Sequence, residues 1–113
     1  MDRLEQYRQH IFAVFSKYKA SDTIAICDQK TENYLLMNLG WQGHQRQYGV
    51  FFHLRIINEE IHIEWNGTED IIDELIEQGI PESALIPAFR HPDLRPEAQQ
   101  KTAIAILPRQ YRP

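Results

Sequence analysis

Catalysis by this chain would have to come from a small set of side chains. His53, His62 and Glu64 share one face of a sheet if residues 52–65 fold as a hairpin. Cross-strand imidazoles and a carboxylate can hold a divalent metal. Arg55 falls in the same patch, however, and a cation beside a metal is a cost. Solvated pairs, Arg55 with Glu60 or Glu64, are the better reading. Cys27 lies in an apolar run and reads as a small buried side chain rather than a nucleophile. As the single cysteine it also excludes an intramolecular disulfide and a cysteine-based zinc site. Ser16, Ser21 and Ser83 lack a glycine-flanked nucleophile turn, and no phosphate-cradling Gly-x-x-x-x-Gly-Lys is present. The residues predict no catalytic group, no metal and no cofactor.

Binding is better supplied. Trp41, Arg46 and Tyr48, with His44 nearby, combine aromatic and cationic groups that could anchor a protein partner or stack on a base. Trp and Arg are enriched at interface hot spots, which favours protein. The bland alternative is a hairpin loop whose Trp41 folds back over the core. Asp70, Asp73, Glu74 and Glu77 fall at helical spacing on one side, a carboxylate surface suited to a basic protein if it is more than a solvated face. Arg95 lies in a basic tail over 90–113 and is counted with the partner-binding residues. Within that tail, Thr102 to Leu107 is apolar enough to add a strand to a sheet edge, and disorder is the competing reading.

Charge separates these surfaces. Residues 1–57 carry a net of +2, residues 58–89 a net of −9 with no Lys or Arg, and residues 90–113 a net of +3. A chain of net −4 lacks the counterion-releasing surface that supplies most DNA affinity, so DNA is expected to be reached only indirectly. With 113 residues, 42% hydrophobic and 25% charged, the composition suits one soluble domain over 1–113. No apolar run approaches a membrane span, and the charged start does not resemble a signal peptide. A cytoplasmic protein is expected.

The elements that must position these groups follow from periodicity. Leu4, Tyr7, Ile11, Val14, Phe15 and Tyr18 form one apolar stripe, predicting a helix over 2–19. Thr23 to Cys27 and Thr31 to Leu39 read as strands, and Gly40, Gly43 and Gly49 bracket a polar loop before a third strand near Tyr48. Placing Asn58-Glu59 as a two-residue turn sets Ile56 opposite Ile61, Leu54 opposite Ile63 and Phe52 opposite Trp65 on one face. Arg55 then meets His62, and His53 meets Glu64, on the other. Thr68 caps a second helix over 69–78 with Ile71, Ile72, Leu75 and Ile76 inward, and Gly79 ends it. Pro81 can begin a short helical turn through Ile86. The class is α+β: an N-terminal helix, a four-stranded antiparallel meander, a second helix and an extended tail over 90–113. Free meander edges invite a homodimer or higher homo-oligomer.

Gly40-Trp41-x-Gly43, Tyr48-Gly49, the apolar hairpin, Asn66-Gly67-Thr68-Glu69 and Gly79-Ile80-Pro81 occur here in one order. Over roughly residues 1–95 this resembles the XisI-like proteins, the fdxN element excision controlling factors of cyanobacteria. The sequence departs from that pattern at Gln42 and Asn66, where the family often has aspartate, and in its tail from Pro96 to Gln100. The resemblance implies an accessory factor in heterocyst DNA rearrangement. It implies action with an XisH-like companion of nuclease-like fold and with a site-specific recombinase. Two other readings stay open: an antitoxin-like partner that restrains such a companion, and a small enzyme using the His53, His62 and Glu64 patch.

Overall fold

The computed structural model describes residues 2–67 and 71–95. Thr68, Glu69, Asp70 and the tail segment Thr102 to Leu107 lie outside the described residues.

Helix α1 spans Arg3–Lys17. Asp2 caps it, its carboxylate accepting the Glu5 amide at 2.8 Å, which satisfies one of the open N–H groups of the first turn. The apolar stripe behaves as the spacing requires: Tyr7, Ile11, Val14 and Phe15 are buried. Four strands follow: β1 (Thr23–Asp28), β2 (Asn33–Gln42), β3 (Gln45–Ile57) and β4 (Glu60–Asn66). They pair antiparallel in sequence order. Helix α2 (Ile71–Glu77) then crosses to a two-residue strand β5 (Leu85–Ile86), which pairs parallel with β4. The fold is α+β with a mixed five-stranded sheet in the order β1-β2-β3-β4-β5.

The expected four-stranded antiparallel meander is thus corrected by one strand. The Pro81 segment does form a helical turn, Glu82–Ala84, but Leu85 and Ile86 leave it as strand. A further short turn, Pro92–Leu94, follows where an extended tail was expected. Helix α2 ends in a Schellman closure, with the Ile80 amide donating to the Leu75 carbonyl at 3.2 Å and the Gly79 amide to Ile76 at 2.9 Å. Gly79 sits at φ 107, which explains why a glycine stands there.

Both helices lie on one face of the sheet. Ile11, Val14 and Phe15 of α1 and Ile71 and Leu75 of α2 share a core with Tyr34, Leu36, Phe52, Leu54, Ile61 and Ile63. The β3–β4 turn is as expected: Asn58 and Glu59 both hold positive φ, 51° and 63°, the geometry of a type I′ turn. The register matches at Ile56–Ile61, Leu54–Ile63 and Arg55–His62.

Past that point it slips. Phe52 pairs with Asn66 and His53 with Trp65, because a bulge between His53 and Leu54 leaves Glu64 as the extra residue. The slip turns Trp65 outward while Phe52 stays in the core. Gly67 makes this approach possible: its amide donates to the Phe51 carbonyl at 2.8 Å, and a Cβ there would collide with Phe51. A second bulge, between Leu36 and Met37, lets Phe51 stack on Phe52. Nor is the Gly40–Gly49 stretch a loop. β2 and β3 continue through it to the pair Gln42–Gln45, and Gly43 takes φ 62 at the turn.

Candidate functional site

Along β2, Tyr34 and Leu36 face the helices, so Leu35, Met37, Leu39 and Trp41 face the other way. Their cross-strand neighbours extend that second face. Leu39 pairs with Tyr48, Met37 with Val50 and Ile24, and Leu35 with His53 and Ile26. Among the described residues, neither helix covers this surface, and its side chains are open: Trp41 is 66% exposed, Tyr48 70% and Trp65 55%. Three aromatics this exposed share the face with Val50 and, on the edge strand, Ile24 and Ile26, all part-exposed. Large apolar side chains gathered on one exposed face are a feature of interaction sites.

One end of the face is organised around Arg46. Its guanidinium lies 5.1 Å from the centre of the Trp41 ring and 6.0 Å from that of Tyr48, and Nη1 donates to the Gly40 carbonyl at 3.3 Å. Trp41 and Arg46 are direct cross-strand partners and Tyr48 follows two residues on, so the pleat alone stacks them. An exposed cation–π contact contributes about 0.5–1 kcal/mol, which biases the three toward this arrangement only a few-fold. The shielding alternative for Trp41 is overturned, since its ring lies outward.

At the other end of the sheet the polar residues are arranged differently from the expectation. His53 Nε2 meets Asn33 Oδ1 at 2.8 Å, and Arg55 pairs with Glu64 at 3.5 Å. His62 is not solvated: it is 1% exposed, and burial, with Arg55 and Arg95 nearby, lowers its pKa to about 4. The cover comes from the segment after β5, where the Phe89 amide donates to Ile63 and the chain returns to Arg95. Among the described residues no group of three or more His, Cys, Asp or Glu is placed to hold a metal ion.

Arg95, expected at a partner surface, is instead buried at 8% exposure. Its Nε donates to the Arg90 carbonyl at 2.9 Å and Nη2 to Ala88 at 3.3 Å, so the guanidinium clasps its own turn. On α2, Asp73 and Glu77 are exposed as expected, but Glu74 is only half-open and Ile76 is exposed rather than inward. Asp70 lies outside the described residues. Cys27, read as buried, is exposed because β1 is an edge strand. Trp65, Ile24 and Ile26 were not singled out by sequence reasoning. The signal available for the two isoleucines was the alternation of β1 with that of β2, and for Trp65 only the Gly67 that permits the bulge.

No curated protein matches the chain significantly. Among solved structures, the fdxN element excision controlling factor XisI from Anabaena variabilis ATCC 29413 aligns with a TM-score of 0.69 at 33% identity, over 83% of this chain and 93% of that one. A XisI-like protein from the same organism aligns with a TM-score of 0.63 at 24% identity, over 82% and 88%, and supports the fold. The family model described as XisI protein matches residues 1–102. With that span and that identity, the chain belongs to the XisI family.

Proposed function

We propose that this protein is an accessory factor in the control of DNA-element excision, acting by docking to protein partners rather than by catalysis of its own. The role in excision comes from the related Anabaena factor. The observation that carries docking is the uncovered sheet face, with Arg46 held between Trp41 and Tyr48. Aromatic and arginine anchors on an exposed apolar surface are the composition of a protein interface core. The partner that fits best is the XisH-like companion implied by the family resemblance, with a site-specific recombinase reached through it.

Duplex DNA is a poor direct ligand. Residues 58–89 hold nine carboxylates and no Lys or Arg, which opposes the phosphate neutralisation that dominates such binding. The same charge, exposed at Asp73 and Glu77, can steer a basic partner into place. The test is co-expression with the companion, mass measurement of the product, and a duplex titration of the isolated chain near physiological salt. A stable complex and no duplex binding are expected. Tight duplex binding by the isolated chain, or failure to form any complex, would overturn the proposal.

A further inference from the structure

Strand β1 has the composition of an interior strand but stands at the edge of the sheet. Its residues alternate between two apolar sets. Ile24 and Ile26 join the uncovered face, while Ala25 and Cys27 lie beside Phe12 and Phe15 of α1 in an apolar cleft of about 160 Å³. Strands apolar on both faces are ordinarily covered on both. Here Ile24 is 46% and Ile26 47% exposed, and Ala25 and Cys27 are exposed as well. The strand is also free of the usual protections of an edge. Thr23 to Asp28 contains no Pro and no Lys, and no bulge interrupts its pairing with β2.

The hydrogen-bond phase of β1 sets what it can accept. The Leu39 amide donates to the Asp22 carbonyl, and Thr23 is the register partner of Asn38. Antiparallel bonding alternates, so the even-numbered residues of β1 bond to β2. The N–H and C=O of Ala25 and Cys27 therefore point away from the sheet. An antiparallel strand added at this edge must present two such groups at the same spacing, and β1 itself does.

We infer that β1 pairs antiparallel with β1 of a second copy, forming a two-fold dimer with one continuous sheet. With the axis at Ile26, Ala25 exchanges main-chain bonds with Cys27 of the second copy, and the reverse follows by symmetry. Ile26 then meets its own counterpart on the uncovered face. Centring on Ala25 instead would oppose Asp22 to Asp28 of the second copy, and like charges directly opposite are unfavourable. A second copy fits better than a foreign peptide because both sides of the match are supplied by this one segment. This dimer does not depend on the excision reading and leaves the Trp41 end of the face open.

The test uses the full chain. Sedimentation at tens of micromolar should give a dimer, and a short bis-maleimide should link Cys27 to Cys27, whose Cα atoms would lie about 8 Å apart at this register. Ala25→Pro removes an outward N–H without touching the bonds to β2, and Ile26→Lys puts a charge at the axis. Each should sediment as a monomer with an unchanged circular dichroism spectrum. If Ala25→Pro does not fold, Ile26→Lys decides. A monomeric wild-type chain, a dimer that Cys27 does not link, or a folded Ile26→Lys variant that stays dimeric would overturn the inference.

Discussion

The two faces of the sheet are built from the same strands and comparable side chains, yet among the described residues the helices cover only one of them. Phe52, Leu54, Ile61 and Ile63 point toward the helices and are fully buried, whereas Trp41, Tyr48 and Trp65 point the other way and are more than half exposed. Neither composition nor strand propensity separates the two sets. What separates them is cover: the α1 stripe and the α2 crossover both land on one side. A sheet ordinarily buries at least one face, and a second apolar face left open calls for a partner. The closed face carries the stability and the open face is the one proposed to bind, so substitutions on the two should separate fold from the proposed function.

The largest effect is expected at the closed face. Phe52→Ala removes a ring stacked on Phe51 and packed edge-on against Tyr18, and should cost about 3–5 kcal/mol in denaturant unfolding. Tyr48→Ala on the open face should stay within about 1 kcal/mol of wild type. Equal losses would erase the distinction between the faces.

A second effect belongs to a place where, among the described residues, the open side is covered. His62 is buried on it beneath the returning 88–95 segment, and its pKa is lowered to about 4 from an ordinary 6.5, chiefly by burial. The unfolded chain therefore binds the proton more readily. Its contribution to stability is complete above pH 6.5 and is lost as pH falls toward 4, by roughly 3 kcal/mol across that window. Urea midpoints measured from pH 7 to pH 4 should show that decline, and His62→Leu should flatten it. An unchanged decline in the variant would show that His62 is accessible to protons in the folded state.

The smallest effect concerns the turn that joins the two central strands and so fixes both faces. Glu59 occupies a left-handed conformation at φ 63 where glycine is preferred, and its ion pair with Arg3 at 3.5 Å is exposed. Glu59→Gly should raise stability by about 1 kcal/mol. A loss instead would mean that the Arg3 contact outweighs the backbone strain.

Much of the closed face was legible in the sequence. The α1 stripe and the I′ turn at Asn58-Glu59 rest on local rules, and those rules held at Tyr7, Ile11, Leu54 and Ile63. The departures came where local pattern is silent. A bulge adds one residue without changing residue type, so Trp65 was assigned to the wrong side although Gly67 marks the close approach. β5 is two residues long between Pro81 and Pro87, too short to show a period. The burial of His62 and Arg95 depends on where the chain returns after Phe89, a long-range fact with no periodic signature. The candidate site was half legible. Trp41, Arg46 and Tyr48 were identified by type, but their stacking follows only when the expected loop is seen to be paired strand.

Docking through the open face is tested most directly by titrating the companion against wild type and a Trp41→Ala/Tyr48→Ala variant, with circular dichroism to confirm the fold. Hot-spot aromatics contribute about 2 kcal/mol or more each on truncation, so the double variant should bind roughly 1,000-fold more weakly while its spectrum and unfolding midpoint hold. Unchanged affinity in a folded variant would place the partner elsewhere on the molecule and contradict the account.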